Sequence, residues 1–427
     1  MIKKRMVILG AGISGLTAAW YFVKQNPDWD CLVLEQSQKA GGYIETESKE
    51  GAILEKGPHI FKTSRNQEFL QLVKEIGFFE ELLSSNKKSH ARYLLENNSL
   101  HKIPGSFLFS ILASLSREWR VPINSQDETI FAFGSRRFGQ KITESLIDAI
   151  TLGVYAGNYK ELSIEACFPM LKKLEREKGS VLLGLFSSLF CKKPKGLFPG
   201  TSLFSFQGGA GAFIKELVTK MPCPILYGEK VISLQKQENL FSISTEKNIF
   251  MADEVIIALP AYVAGSLLAP FSKELAADLE SIPYISITSA NVLFNKDIGL
   301  PPGFGYLVPQ KEKESILGVL FDSNIFPQQG VNSRVTILLD GAVSEDTISK
   351  CIDKVLRTHL QILEDPRSIS WKKMTHAIPQ PRVHHKEKIR SIREKLPDHI
   401  HFIGNYLEGV SVNDCISLAK KTVLAIK

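Results

Sequence analysis

Met6-Val7-Ile8-Leu9 is an unbroken apolar run, short enough to be a strand buried on both faces. Gly10, Gly12 and Gly15 follow at GxGxxG spacing, and Leu16 to Phe22 continue as a helix. Asn26-Pro27-Asp28 breaks that helix, and Cys31-Leu32-Val33-Leu34-Glu35 reads as a second strand. Strand, glycine turn, helix and strand in this order predict the start of a nucleotide-binding α/β fold.

Further along, Phe69, Leu70, Leu72, Val73 and Ile76 predict an amphipathic helix within residues 67–84, closed by Gly77. Residues 105–200 turn helical in texture, with apolar runs at Phe107–Leu112 and Val181–Phe186. The second run leads into a basic, proline-broken linker, Cys191-Lys192-Lys193-Pro194-Lys195. Strand patterns return at Lys230–Leu234, Phe241–Ser244 and Glu254–Pro260, then over 284–341, and a last strand and helix close the chain. No apolar run reaches the roughly 18 residues that a membrane-spanning helix needs. Lys3-Lys4-Arg5 before an apolar run imitates a secretory signal, but glycines at fixed offsets interrupt it.

The chain has 427 residues, enough for two or three domains. At 44% hydrophobic and 23% charged it can bury a sizeable core, which excludes global disorder. Lys plus Arg is 52 against 45 acids, so 52 − 45 = +7. That excess suits an anionic small molecule or a membrane face, and no nucleic-acid partner is implied. Six cysteines without a CxxC or metal-ligand spacing read as scattered thiols of a reducing compartment, which leaves no metal site and no disulfide framework.

The glycines have distinct tasks. Gly10 permits the tight turn, and Gly12 lets the backbone approach a pyrophosphate seated on the helix N-terminus beside Ile13 and Ser14. Gly15, with Ala18 and Ala19, lets helix and strand pack closely. Glu35 stands 20 residues after Gly15, where it can accept ribose hydroxyls and repel a 2′-phosphate. The unit alone leaves NAD and FAD both open.

The remaining motifs are Lys39-Ala40-Gly41-Gly42, Glu55-Lys56-Gly57-Pro58-His59, Leu152 to Asn158, Glu161-Leu162-Ser163, Cys167-Phe168-Pro169, Gly303 to Pro309, Arg334 to Leu339, Ile378 to Pro381 and Gly404 to Cys415. In that order, from about residue 6 to the C-terminus, the chain resembles the protoporphyrinogen oxidases of the amine-oxidase flavoprotein superfamily. Two positions depart from the family pattern: Lys39 where arginine is common, and Tyr43 where Arg or Lys usually follows the glycine pair.

The resemblance implies an α/β architecture in three parts. The first is a discontinuous Rossmann-type FAD-binding domain of the p-hydroxybenzoate hydroxylase-like flavoprotein fold, over 1–90, 204–265 and 378–427. The second is a mixed β/α substrate domain over 91–104 and 266–377. The third is an α-helical membrane-associated insert over 105–203. Non-covalent FAD would be held by Gly10, Gly12, Ile13, Ser14, Gly15, Glu35, Lys39, Gly41, Gly42, Gly57, Pro58, Val231, Asn405, Gly409, Val410 and Val412. Arg92 resembles the arginine that pairs with a substrate propionate, and Gly153 the glycine whose carbonyl faces the pyrrole N–H groups. Phe304, Leu307 and Leu338 resemble the apolar residues that sandwich the macrocycle.

The implied reaction is six-electron oxidation of protoporphyrinogen IX to protoporphyrin IX, with hydride passing from a methylene bridge to flavin N5 and O2 reduced to H2O2. No side chain and no metal takes part in the chemistry. The implied setting is the cytoplasm, peripheral on the inner membrane, with hand-over to a ferrochelatase and a homodimer as possible partners. A coproporphyrinogen III oxidase of the same flavin family is the alternative. More distant readings are an amine oxidase, weakened because no cysteine stands in Gly404-Asn405-Tyr406 for covalent attachment, a carotenoid desaturase, and a flavin-binding protein without turnover. His59, His384 and His385 read as structural or surface residues.

Overall fold

The computed structural model describes residues 3–63, 67–103, 118, 120–184, 203–330 and 332–426. The apolar run Phe107–Leu112, residues 185 and 186 of the second run, and Lys192, Lys193 and Lys195 lie outside the described residues.

Met6, Val7, Ile8 and Leu9 are wholly buried, as an unbroken apolar strand must be when both its faces are covered. Their strand, Arg5–Leu9, is central in a five-stranded sheet ordered Ile225–Tyr227, Asp30–Glu35, Arg5–Leu9, Glu254–Ile257, Ile400–Phe402. Every pairing in it is parallel. Segments hundreds of residues apart therefore build one sheet, and one continuous core runs through it. An antiparallel sheet of Val231–Gln237, Leu240–Thr245 and Ile249–Ala252 adjoins it.

Helix Gln67–Glu75 forms on the predicted apolar spacing, but it stops at Gly77, whose φ of +71° suits only a helix terminus. Residues 79–84 do not continue it. Phe79–Glu81 makes a short turn, and Leu82–Ser84 pairs with Leu203–Phe206.

A second sheet of seven strands is ordered Ser368–Pro379, Tyr284–Leu293, Arg334–Asp340, Ile316–Leu320, Gly305–Leu307, Arg92–Glu96, Ser99–Ile103. It is antiparallel except where Gly305–Leu307 runs parallel to Arg92–Glu96. One face packs on helix Glu345–Asp353 through Ile337, Val319, Tyr306, Ile348 and Ile352. After Ser99–Ile103 the chain next returns to this sheet at Tyr284, later than residue 266. Helices Ala261–Leu268 and Lys273–Glu280 instead bury Leu267, Leu275 and Leu279 in the first core.

The third region is helical, with Ile130–Phe138, Asp148–Tyr155, Ile164–Cys167 and Pro169–Lys178 around a small core of Ile130, Phe133, Tyr155, Leu162 and Val181. Beneath it lies a buried ionic network. Arg137, fully buried, donates from Nη2 to Glu175 at 2.6 Å and from Nη1 to Glu118 at 3.2 Å and the Gly179 carbonyl at 3.0 Å. Lys172 Nζ reaches Glu128 and Glu175, both at 3.0 Å. No helix among the described residues is long and apolar enough to cross a membrane.

Taking one partner from a buried ionic network leaves an uncompensated charge, which costs about 3–5 kcal/mol. Arg137→Leu strands Glu118, whereas Glu175 keeps Arg136 and Lys172. The expected loss is therefore about 3 kcal/mol, at the low end of that range, read from the shift in urea midpoint at unchanged slope.

Candidate cofactor cradle and substrate slot

The turn after the first strand can be made only from glycine at two positions. Gly10 has a φ of +100°, and a Cβ on Gly15 would sit 1.9 Å from the Gly10 carbonyl oxygen. Helix Ile13–Gln25 therefore starts as close to its strand as the backbone allows. Its N-cap, Gly12, has no side chain to accept the first helical N–H groups. Glu35 folds back to this turn, its Oε2 accepting the Ala11 N–H at 2.8 Å and its Oε1 the Ser37 N–H at 2.9 Å.

The loop after the second strand lies over the same turn. Gly41 N–H donates to the Ala11 carbonyl at 2.8 Å, and Gly12 and Gly41 form an isolated parallel bridge. Gly42, exposed with a φ of +61°, faces Gly12, so that a Cβ on it would stand 3.4 Å from the Gly12 Cα. A Cβ on Gly12 would meet nothing within 4 Å. The result is a cradle walled by backbone and open above Gly12. Gly57 packs beneath this loop; its Cβ position lies 1.8 Å from the Tyr43 carbonyl oxygen. Pro58 next to it is exposed.

The closing helix, Val412–Ala425, lies along the opening one and points the same way. Ser14 hydrogen-bonds Cys415 at one end, and Gln25 Nε2 donates to the Ile426 carbonyl at 3.2 Å at the other. Ser411 and Asp414 form a capping box at its start. Two helix N-termini thus converge on the cradle, and their summed positive dipole ends favour an anion there. Ile13, Ser14 and Val412 fall at those N-termini, and Gly409 lies in the loop before Ser411 with a φ of +156°. Val410 packs instead against the helical region, and Asn405 and Gly409 line a separate cleft with Tyr155 and His385. Val231 opens the adjoining antiparallel sheet, two residues after Glu229, whose N–H donates to the Glu35 carbonyl at 2.8 Å. Lys39 turns away to an ion pair with Glu45 at 2.7 Å.

Backbone built without Cβ atoms over two helix N-termini, with a carboxylate at the end of the second strand, fits the diphosphate and ribose of a bound dinucleotide. Glu35, Gly12 and Gly42 would hold it.

Of the residues expected to meet substrate, Arg92, Leu307 and Leu338 share one face of the seven-stranded sheet. Leu94, Leu307, Gly318, Leu338 and Ser289 are successive cross-strand partners, so their side chains point the same way. Arg92 opposes Gly305 and lies on that face two positions along. Helix Asp148–Tyr155 covers the row, with the Cβ position of Gly153 3.2 Å from Leu307. The helix's last bond is Ala156 N–H to the Leu152 carbonyl, so among the described residues the Gly153 carbonyl accepts no backbone N–H. The Arg92 guanidinium lies over the Phe304 ring, 4.7 Å from its centroid, and donates from Nη1 to the His90 carbonyl at 3.3 Å. It pairs with no acid among the described residues. Partial burial lowers its pKa from the ordinary arginine value.

Tyr43 joins cradle to slot. It packs with Leu152, Leu317, Met374 and Leu338, and its hydroxyl donates to the carbonyls of Thr375 at 2.9 Å and His376 at 3.0 Å. Burial, then the nearby Tyr262, raises its pKa, so it stays a neutral phenol. Its place was marked in the sequence only as a departure from the family pattern. His59 is the other residue whose role local sequence did not show. It is buried with Glu55 and Asp322 behind Gly57.

Residues 13–426 match the family model described as flavin containing amine oxidoreductase. The chain is 29% identical to the protoporphyrinogen oxidase of Homo sapiens over 99% of this chain and 98% of that one. It is 26% identical to the coproporphyrinogen III oxidase of Bacillus subtilis (strain 168), over 99% and 97% of the two chains. A solved structure from Exiguobacterium sp. 255-15 superposes with a TM-score of 0.88 at 22% identity, covering 100% of this chain and 99% of that one. With the family model spanning nearly its whole length, the chain belongs to the flavin containing amine oxidoreductases and is a flavin-bearing oxidoreductase.

Proposed function

We propose that the protein is an FAD-dependent porphyrinogen oxidase that converts protoporphyrinogen IX to protoporphyrin IX in haem biosynthesis. The observation that carries this reading is the apolar row Leu307–Gly318–Leu338, with a charged end at Arg92, on the sheet face that adjoins a dinucleotide cradle. A porphyrinogen is a flexible apolar macrocycle with carboxylate arms, and this slot offers matching chemistry at both ends. Full-length relatives in Homo sapiens and Bos taurus bear the name protoporphyrinogen oxidase, which supports the same substrate class.

Bound FAD supplies the two-electron acceptor for each of three successive oxidations. The chain's own residues bind and orient. Arg92, its guanidinium held over the Phe304 ring on the exposed side of the slot, pairs with a propionate through its planar fork. The Gly153 carbonyl, at the end of its helix, accepts pyrrole N–H groups. Leu307 and Leu338 exclude water from the ring and hold one methylene bridge toward the cradle. Dioxygen is the final acceptor and leaves as hydrogen peroxide, three for each porphyrin formed. A cytoplasmic enzyme lying on the inner membrane, passing porphyrin to a ferrochelatase, suits a product this apolar. Met170 and Leu183 on the helical region, each more than half exposed, would suit such a membrane contact.

The match to a coproporphyrinogen III oxidase favours one second reading, in which the ring carries four propionates rather than two. Turnover of the purified holoenzyme on both porphyrinogens, followed by porphyrin fluorescence, assigns the substrate. Anaerobic mixing with protoporphyrinogen is expected to bleach the flavin absorbance; a flavin that stays oxidised with both porphyrinogens refutes the oxidase reading. Arg92→Leu removes a charge-assisted pair worth about 1.5–3 kcal/mol, so KM should rise about 10- to 100-fold with kcat little changed. Flotation with anionic vesicles is expected to carry the protein to the top of the gradient; protein left at the bottom refutes the peripheral membrane placement.

A further inference from the structure

His59 is buried, and both its ring nitrogens are engaged by groups that only accept. Nδ1 lies 2.9 Å from the Gly57 carbonyl, and Nε2 3.3 Å from Asp322 Oδ1. With a carbonyl on one side and a carboxylate on the other, both nitrogens find an acceptor when the ring is protonated, so this geometry favours the imidazolium.

The bonds around it close into a ring that ties the seven-stranded sheet to the hairpin of Thr46–Lys49 and Ala52–Glu55. Asp322 Oδ2 accepts from Thr336 Oγ1 at 2.7 Å, and Thr336 Oγ1 accepts from Asn291 Nδ2 at 2.9 Å. Asn291 Nδ2 also donates to the Glu55 carbonyl at 3.0 Å, which returns the path to the strand leading to Gly57. Asn291 and Thr336 are direct cross-strand partners on the slot face. Gly57 has no slack, because its Cβ position already overlaps the Tyr43 carbonyl. A shift of His59 therefore moves the Gly41–Tyr43 loop as well.

The charged groups facing His59 are Glu55 and Asp322. The Glu55 carboxylate is fixed by the Ala210 N–H at 2.7 Å and Thr46 Oγ1 at 2.5 Å. Arg334, buried, stands beyond Asp322, and Lys56 turns away to Glu47 at 2.8 Å. Burial alone would lower the His59 pKa. The Asp322 hydrogen bond, the Glu55 and Asp322 charges and the Gly57 carbonyl outweigh it and push the value up to about 9.

Resting on the flavin reading above, we propose that His59 is a positioning residue of the cofactor site: clamped between Gly57 and Asp322, it fixes Gly57 beneath the Gly41–Tyr43 loop of the cradle and places a positive charge behind it at neutral pH. A charge there favours the cofactor after it has taken up electrons, and so raises its reduction potential. Because the folded-state pKa lies above the ordinary histidine value, the charge is present at neutral pH and is lost as pH rises through about 9.

The test is the midpoint potential of the holoenzyme measured across pH 6 to 10, with His59→Gln and Asp322→Asn beside it. The wild type should show a bend near pH 9. His59→Gln should lose that bend, and its preference for reduced over oxidised flavin should fall about tenfold at neutral pH. Asp322→Asn should move the bend down toward the free-histidine value of about 6.5. Variants that hold flavin with wild-type potentials at every pH overturn the proposal, even when their Tm falls. Should His59→Gln not fold, Asp322→Asn alone decides. Wild-type protein that purifies without flavin and takes none up refutes the flavin reading itself, a result distinct from an unmoved potential.

Discussion

Two helices of like direction lie side by side in this fold and begin at the same place. Parallel dipoles repel one another, and between Ile13–Gln25 and Val412–Ala425 only Asp414 among the described residues, capping the closing helix, offsets that repulsion at the shared N-terminal end. An anion bound at that end offsets it further. The site and the fold are therefore one electrostatic problem: the geometry that packs the first core also concentrates positive potential over Gly12. The Gly41–Gly42 loop lies against Gly12 at that end and presents no side chain to block it.

The second sheet is coupled to this centre by polar contacts as well as by greasy packing. Its back face carries the apolar core with helix Glu345–Asp353, whereas its front face is divided. Leu307 and Leu338 occupy one row, and Asn291 and Thr336 the row beside it. The apolar row makes a slot, and the polar row ties the slot to the cradle through Glu55, Asp322 and His59. Buried polar groups of this kind confer registry only when every member is satisfied. Here the bonds from His59 through Asp322, Thr336 and Asn291 to the Glu55 carbonyl form a closed path between slot and cradle, although Asn291 Oδ1 itself has no partner among the described residues.

What the sequence made legible was what the backbone alone dictates. Gly10 and Gly15 admit no other residue, and the apolar strand before them has one plausible place in an α/β sheet. Glu35 was legible for the same reason, its reach to Ala11 being fixed by two strands and a turn. The rest depended on partners far away in the chain. Residues 79–84 leave the predicted helix because Phe204 and Phe206 claim them for a strand pair. Leu275 and Leu279 carry their helix into the first core although the neighbouring sequence enters the second sheet. His59 passes for a structural histidine until Asp322, 263 positions away, is seen beside it. Lys39, read as a cofactor contact, meets Glu45 in a local ion pair that spacing alone did not reveal.

The five-stranded sheet has a consequence for how the molecule comes into being. Its strands are supplied at residues 5–9, 30–35, 225–227, 254–257 and 400–402, and the closing helix comes after the last of them. During translation the glycine turn emerges ahead of the three later strands and waits for them while the intervening residues are made. Until the final strand and helix leave the ribosome, one edge of the sheet is unpaired and the opening helix has a bare apolar flank, the condition in which nascent chains need chaperones. A polypeptide cut short before residue 400 would thus be unable to retain the cofactor, so premature termination should yield no partly active fragment.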